Sequence, residues 1–551
     1  MKVNNIKLFN YSHYIFFFLF FLLGLSVYKD YGFNIDESFH RRSGFYWLNF
    51  LTDFFKLENL SLIAKEKFTN ATDFTMPWGE IQKAYIGVIF DVPAALIEVM
   101  FDINDPLKFY ALRHLLVFLF FFIGTIFFYK LLINRFNSKS IALIGCSLLI
   151  LTPRLIGEAF HNSNDIVFLT FFIISIYYYF EYIDKNNTKN IILFALFAAL
   201  TTSVRLFGLI FPLSFLFIYF LSILSNKDNL KKINLIIFYL LLYFFFLILF
   251  WPYLWSNPIE NFIFILSNMI EGNFGSSLIY FHGEFYNTKL LPYYYLPLWI
   301  LISTPIFNIL LFSCGFFLIS KIYICKLFLI EKNDSKYDFW NNNIEIKDFF
   351  IVFIFLVFLI YGTFFTIHHY NSWRVFYFIN FFIVYFSVFF INFCLSKKEY
   401  KKFFNFFSVI LILSLLFNTY RIFIYHPYQS IYFNVLTAKK FKNKFEADFT
   451  GLSGIHFLRE ITKIEKKPKI KIGINSWYPL WRMTELLPES DRNRIVMVFD
   501  DIDDADYVYS NRIYNVNINK SDKFKLGINF KNYKTHIVDG VIIYEVFKKI
   551  K

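Results

Sequence analysis

Two adjacent carboxylates, Asp36 and Glu37, lie directly after the first apolar segment of the chain. Ionisable side chains so close to a bilayer are costly, so they usually mark a functional site or a capped helix end. A carboxylate beside a hydroxyl or amine can act as a general base. Asp36 is the preferred base and Glu37 the second choice, because neighbours in sequence cannot both point at one atom. The structural alternative is a capping box, in which Asn34 and Glu37 cap a helix that begins at Ile35.

Arginines recur near the predicted outer ends of the apolar segments. A guanidinium presents a planar fork of donors that suits an anion such as phosphate. In order of preference, the candidates are Arg205 and Arg374, then Arg113 and Arg154. An arginine at such a position can also snorkel to the interface or pair with a carboxylate, and that alternative stays open for Arg205.

A further set of residues could support these groups or hold a divalent metal ion. Its members are Glu158, His161, Asp165, His368 and His369. Adjacent histidines rarely share one ion. The sequence therefore establishes no cofactor, and a divalent metal ion is a candidate. The four cysteines show no metal spacing and imply no disulfide framework.

The segments that must position these groups are helices in a membrane. The 551 residues are 57% hydrophobic and only 17% charged, which is typical of a multispanning membrane protein. A bilayer core requires about 20 apolar residues per helix, and by that measure we predict about eleven spans. They are 12–29, 111–133, 140–156, 165–183, 190–204, 206–225, 232–251, 296–320, 349–367, 374–395 and 403–425.

The lysines predict the orientation of these spans. Cytoplasmic loops carry an excess of Lys and Arg, and lysines here concentrate in alternate loops. Those loops are 130–139, 185–189, 227–232, 321–336 and 397–402. The N-terminus is therefore predicted inside, and an odd number of spans places the C-terminus outside, on the face of Asp36. This distribution also explains the net charge of +14 without a nucleic-acid partner.

The chain divides into two predicted domains. Residues 1–425 form the transmembrane domain, with long external segments at 31–110 and 252–295. Residues 426–551 have the composition of a small extracytoplasmic α/β domain, with a helix at 451–464. Strands at 469–475 and 494–499 and a hairpin turn at Val538-Asp-Gly-Val541 are also predicted. This domain has no Gly-rich phosphate loop and no ligand cluster with metal spacing, so it is not predicted to be catalytic.

Several short motifs, taken in order, resemble one group of enzymes. They are the Asp36-Glu37 pair, Trp251-Pro-Tyr-Leu-Trp255, Leu291-Pro-Tyr-Tyr-Tyr295, Tyr370-Asn-Ser-Trp-Arg374 and His426-Pro-Tyr-Gln-Ser-Ile-Tyr-Phe-Asn434. The chain is similar in these places to bacterial family 39 glycosyltransferases of the GT-C superfamily, relatives of protein O-mannosyltransferases and lipid A aminoarabinose transferases. It lacks the Trp-Trp-Asp signature of oligosaccharyltransferases and the lectin-like repeats of eukaryotic protein mannosyltransferases, so the acceptor class stays open.

The resemblance implies both a fold and an activity. The fold is a GT-C-like bundle of about eleven transmembrane helices in the inner (cell) membrane. The implied donor is a polyprenyl-phosphate-linked hexose or pentose. The acceptor is a lipid, glycan or protein on the extracytoplasmic face, and transfer inverts the anomeric carbon. Asp36 is then the general base, and the arginines bind the donor phosphate; some relatives also use a divalent ion.

Two other classes of protein remain open at this point. A transporter or lipid flippase would also carry polar groups in a helical bundle, but with inverted repeats and broken helices near the bilayer centre. A receptor or scaffold would make the C-terminal domain the main functional part. The distinguishing observation is whether Asp36, Arg205 and Arg374 converge on one cavity.

Overall fold

The computed structural model describes residues 2–70, 87–225, 233–271, 278–328, 340, 342–365, 371–396, 401–499, 501–513 and 526–550. Most of these residues are helical. The helices are α1 (Lys2–Val27), α2 (Ile35–Phe54), α3 (Glu58–Asn70), α4 (Asp91–Met100), α5 (Pro106–Phe136), α6 (Lys139–Ile150), α7 (Pro153–His161), α8 (Ser163–Lys185), α9 (Thr188–Val204), α10 (Ile210–Ser225), α11 (Ile233–Leu249), α12 (Pro258–Glu271), α13 (Tyr295–Ser303), α14 (Ile306–Phe328), α15 (Asn343–Phe364), α16 (Ile379–Ser396), α17 (Lys401–Tyr425), α18 (Lys439–Lys442), α19 (Gly454–Ile464), α20 (Leu480–Met483) and α21 (Glu489–Arg492). Strands β1 (Leu278–Phe281) and β2 (Glu284–Asn287) form a hairpin between α12 and α13.

Many of the helices have the length and composition of membrane spans. In the part of the chain that the structure describes, six are long and apolar enough to cross a bilayer, or seven if α6 and α7 form one bent span. Those six are α5, α8, α10 with the turn before it, α14, α16 and α17. Each of the eleven predicted spans coincides with one or two helices, so the polytopic helical class is confirmed, although several helices, such as α9 and α11, are shorter than a full span.

Two predicted spans are each two helices. The segment 140–156 breaks after Ile150, and α7 leaves the axis of α6 at 71°. The segment 296–320 breaks at Pro305, between α13 and α14. Proline lacks the backbone donor that a helix interior needs, and Pro153 and Pro305 lie at these breaks. Arg154, Glu158 and His161 therefore lie on the short helix α7.

Helices α8 and α16 lie at the centre of the bundle. Helix α8 packs against α5 and α9, and α16 packs against α14 and α6. The side chains of α8 and α16 are mostly buried, whereas those of α17 mostly remain exposed, as expected for a peripheral, lipid-facing helix. In the first external segment, α2 packs against both α3 and α4. A Cβ atom on Gly44 would lie 2.4 Å from the carbonyl oxygen of Asp91, so the close approach of α2 to α4 requires glycine there.

The C-terminal residues form a five-stranded mixed sheet. The strands are β3 (Ile470–Ile474), β4 (Ile495–Met497), β5 (Tyr507–Ser510), β6 (Phe530–Val538) and β7 (Val541–Lys549). Their order is β4-β3-β5-β7-β6, with β3 parallel to β4 and β5, and β7 antiparallel to β5 and β6. The predicted hairpin turn is confirmed: Asp539 and Gly540 both have positive φ, at 49° and 79°, as a two-residue turn of this kind requires.

This sheet domain is anchored to the last helix of the bundle. The Asp539 carboxylate accepts hydrogen bonds from Arg421 and Tyr425 near the end of α17 and from Lys442 of α18. The chain between α17 and α19 also packs on the bundle, since Asn434 N donates to the carbonyl of Ile302 at 2.8 Å. The boundary between residues 425 and 426 therefore stays a prediction.

Candidate functional site

The first turn of α2 holds the two carboxylates. Asn34 is the N-cap, and its side chain accepts from the backbone N–H of Asp36 at 3.1 Å. Glu37 accepts from the backbone N–H of Asn34 at 2.8 Å, which completes a capping box. The other oxygen of Glu37 lies 3.0 Å from His114 Nε2 on α5. Glu37 is buried and occupied by these partners, so it ties α2 to α5, and the capping alternative is correct for this residue.

Asp36 points away from those contacts and meets Arg374. Arg374 Nη1 donates to Asp36 Oδ2 across more than three hundred residues of sequence. The Asp36 side chain remains 41% exposed, whereas that of Arg374 is only 11% exposed. The pair therefore consists of an accessible carboxylate backed by a buried guanidinium.

The loop that carries Arg374 is held on three sides. Tyr295 donates to the carbonyl oxygen of Ser372 at 2.8 Å, and Trp373 donates to Ser303 at 2.8 Å. Both partners belong to α13. Arg154 of α7 donates to the Ser372 hydroxyl at 2.8 Å. These contacts explain why a residue outside any long helix can be placed accurately against α2.

The charges around Asp36 keep it ionised. Burial raises the pKa of this carboxyl group, but Arg374, His40 and Arg205 more than offset that effect, so the pKa lies below its ordinary value. His40 lies 3.0 Å from Asp91, and although burial lowers the pKa of the imidazole, Asp91 raises it above the ordinary value. An ionised carboxylate is ready to accept a proton from a substrate hydroxyl or amine.

Arg205 and Asp165 form the second ion pair of this region. Arg205 Nη2 lies 2.5 Å from Asp165 Oδ1. Arg205 follows α9 in an extended conformation, and Asp165 occupies the first turn of α8. Helix α8, which carries Asp165, contacts the turn Arg374–Phe376, so the two pairs lie in one region of the bundle. Convergence of Asp36, Arg205 and Arg374 on one cavity stays a prediction.

The end of α7 adds a buried polar group to this cluster. Asn162 donates to Glu158 at 2.9 Å and to Asp165 at 2.7 Å, and Asn34 lies 3.0 Å from His161 Nδ1. Glu158 Oε1 and His161 Nε2 are buried and make no hydrogen bond within the described residues.

The metal alternative has no ligand set in this part of the chain. No three histidine, cysteine or acidic side chains within the described residues are arranged to hold an ion. Glu158 and His161 lie 3.9 Å apart, with Asn162 bridging Glu158 to Asp165. His368 and His369 lie outside the described residues.

The two second-choice arginines have different surroundings. Arg154 is buried, donates to the carbonyl of Tyr432 at 2.8 Å and to Ser372, and lies over the ring of Trp299. It therefore fastens neighbouring segments together. Arg113 donates through Nε to the buried Glu98 at 2.7 Å, while its two Nη atoms are buried without a hydrogen bond in the described residues. Arg113 thus retains donors for a ligand, whereas Arg154 is engaged with neighbouring protein groups.

Several residues of the site escaped sequence reasoning. Glu98 accepts from both Arg41 and Arg113, and Asp91 is the partner of His40; both acidic residues lie in the predicted external segment 31–110. Their signal was the presence of acidic residues within an apolar stretch, 85–101. Asn162 carried no signal of its own, because an asparagine between two helices usually caps the second, as this one also does.

Comparison with known proteins gives one family match. A family model for dolichyl-phosphate-mannose-protein mannosyltransferases matches residues 92–255. That segment contains Arg113, Arg154, Asp165 and Arg205. The match confirms the resemblance to GT-C glycosyltransferases; assignment to family 39 stays a prediction. No curated protein sequence matches the chain.

Solved structures of similar shape come from an archaeon and a bacterium. The Archaeoglobus fulgidus oligosaccharyltransferase in the apo form has 10% identity and a TM-score of 0.44, over 75% of this chain and 56% of that chain. The same archaeal protein, AglB, in complex with an inhibitory peptide and a dolichol-phosphate has 10% identity and a TM-score of 0.41, over 78% of this chain and 61% of that one. ArnT from Cupriavidus metallidurans bound to undecaprenyl phosphate has 10% identity and a TM-score of 0.41, over 97% of this chain and 98% of ArnT. The chain thus spans about three fifths of the length of the archaeal structures.

Proposed function

We propose, on the premise of the glycosyltransferase family match at residues 92–255, that this protein transfers a sugar from a polyprenyl-phosphate donor to an acceptor. The acceptor is a lipid, glycan or protein on the extracytoplasmic face of the inner (cell) membrane, where the C-terminal domain also lies. The observation that carries the proposal is the partly exposed Asp36 paired with the buried Arg374, in the same region as the Arg205–Asp165 pair.

The proposed chemistry is a single displacement with inversion. Asp36 takes the proton from the acceptor hydroxyl or amine while the acceptor atom forms a bond to the anomeric carbon. The bond between that carbon and the phosphate oxygen breaks, and polyprenyl phosphate leaves. A phosphate monoester has a second pKa of about 6, so the leaving group departs without needing a proton. Catalysis therefore needs one base and cations that stabilise the growing phosphate charge.

Arg205 and Arg374 are proposed to supply those cations. Each guanidinium faces a carboxylate, Asp165 or Asp36, which offsets the cost of holding a cation away from water. Arg205 Nε, like the two Nη atoms of Arg113, is a buried donor without a hydrogen bond in the described residues. A lipid phosphate is an acceptor-rich dianion that suits such donors. Arg113 is the next candidate.

The positions of these groups along their helices support an enzyme over a transporter. Asp36 and Asp165 occupy the first turns of α2 and α8, Arg205 follows the end of α9, and Arg374 precedes α16. Charges at helix ends lie near the membrane–water boundary, where a lipid headgroup meets an acceptor from outside. A transporter would place its polar groups near the bilayer centre.

The test is an assay of membranes that contain the protein, using a panel of labelled polyprenyl-phosphate hexoses and pentoses. We expect label to move from at least one donor into a membrane or envelope acceptor. Membranes that contain Asp36→Asn at the same protein level are the matched control. Equal label transfer by the parent and by membranes without the protein, across the whole panel, would refute the proposal.

A further inference from the structure

A cavity of about 300 Å³ lies between the β1–β2 hairpin and the C-terminal domain. Its size is at the lower end of the range for small-molecule sites. Three aromatic rings, two amides, one carboxylate and one guanidinium contribute to its wall. The lining side chains that matter here are Tyr280, Phe285, Phe445, Glu446, Asn511 and Arg512.

The aromatic wall is built by the hairpin. Tyr280 and Phe285 are directly opposed across β1 and β2, with ring centroids 5.1 Å apart, so they present their side chains on the same face. Phe285 is 41% exposed, and its ring forms part of the cavity wall.

The polar wall carries one group of each charge. Glu446 is buried and accepts from the backbone N–H of Tyr280 at 3.0 Å and from the Asn371 amide. Arg512 is in the left-handed region, with φ of 61°, and its side chain is 32% exposed. Its nearest acidic partner in the described residues is Glu545, 4.0 Å from Nε. The cavity thus offers a guanidinium donor fork and a buried carboxyl group.

Glu446 also connects the cavity to the loop that carries Arg374. Its partner Asn371 lies three residues before Arg374, and three residues of chain span at most about 11 Å between Cα atoms. A second hydrogen bond joins the hairpin to the segment that carries Glu446: Gly283 N donates to the carbonyl of Lys444 at 2.9 Å. The cavity wall is therefore linked through Asn371 to the loop that carries Arg374.

We propose that this cavity binds a sugar ring of the acceptor, so that the acceptor is a glycan or glycolipid. The proposal rests on the proposed function, since it names the acceptor class for that reaction. A pyranose ring has an apolar C–H face that stacks on aromatic rings and a rim of hydroxyls that both donate and accept. Tyr280 and Phe285 suit the face, and Glu446 and Arg512 suit the rim.

The first experiment measures binding without transfer. The full chain in nanodiscs is titrated with methyl hexopyranosides, and contact is read by saturation-transfer NMR. We expect at least one glycoside to bind, with Phe285→Ala weakening it about three- to tenfold and Arg512→Ala about tenfold. Phe499→Ala and Lys531→Ala are matched controls, because both side chains are exposed on the C-terminal domain away from the cavity wall. Equal binding by all four variants would overturn the proposal, as would binding of a Ser/Thr peptide at the same wall.

The second experiment separates failure of the subsite from failure of the proposed reaction. In the transfer assay, the cavity variants should raise the acceptor KM and leave the donor KM unchanged. Transfer with unaltered acceptor KM would overturn the subsite while the reaction stands. Glycoside binding that depends on Phe285 and Arg512, without any transfer, would support the subsite while refuting the reaction. The milder Phe285→Leu and Arg512→Lys variants keep both readings valid if an alanine variant does not fold.

Discussion

Replacing Asp36 by Asn is the sharpest test of the site, because its sequence neighbour supplies a matched control. The substitution keeps the shape of the side chain and leaves the capping contacts of Asn34 and Glu37 in place. It removes the proton acceptor. General-base catalysis contributes about 10²- to 10⁴-fold, which corresponds to roughly 3–5 kcal/mol of barrier at 1.36 kcal/mol per tenfold. We expect kcat to fall by that factor. Thermal stability should fall less than in Glu37→Gln, because Asp36 is partly exposed and the Asn amide oxygen can still accept from Arg374.

Glu37→Gln should have the opposite profile. Glu37 is buried and holds both the Asn34 N–H and His114, so loss of its charge leaves a buried imidazole without its partner. Breaking one side of a buried pair costs about 3–5 kcal/mol. We expect a lower midpoint of thermal unfolding, followed by fluorescence-detected size exclusion, and near-parent transfer per folded molecule. If Asp36→Asn retains transfer and Glu37→Gln abolishes it without loss of stability, the assignment of the base is wrong.

The other predictions concern the cations, the topology and one buried acid. Arg205→Ala and Arg374→Ala should each cost about ten- to a hundredfold in donor use, with partial rescue by Lys; unchanged donor KM in both would move the phosphate to Arg113. Arg374→Ala should also shift the acidic limb of the pH–rate profile upward, because Arg374 helps to hold the pKa of Asp36 down and the base is lost as pH falls through that pKa. A reporter fused to the C-terminus should be active only outside the cytoplasm, and cytoplasmic activity would refute the eleven-span topology. Burial raises the pKa of Glu446 from 4.5 to about 7, so the folded state binds the extra proton and stability should fall as pH rises from about 4.5 to 7; Glu446→Gln should flatten that slope in thermal unfolding.

The sequence alone determined the class of the protein and the chemistry of its candidates. Long apolar runs must be helices in a bilayer, because lipid cannot satisfy backbone hydrogen bonds. The same reasoning singled out Asp36 and the arginines of the predicted outer loops, which contain little Lys. Charge near a membrane has to be compensated. Local rules were equally reliable: Asn34 with Glu37 forms the predicted capping box, and Asp539-Gly540 forms the predicted hairpin turn.

Only the tertiary structure decided which charges face one another. Arg374 meets Asp36, whereas Arg154 is used to join Tyr432 to Ser372, and both had looked like phosphate ligands. The sequence could not separate them, because an arginine's role depends on partners hundreds of residues away. The break between α6 and α7 also escaped prediction, since hydropathy does not register a bend. Pairing across such distances follows from how helices pack, and a single sequence carries no record of those contacts.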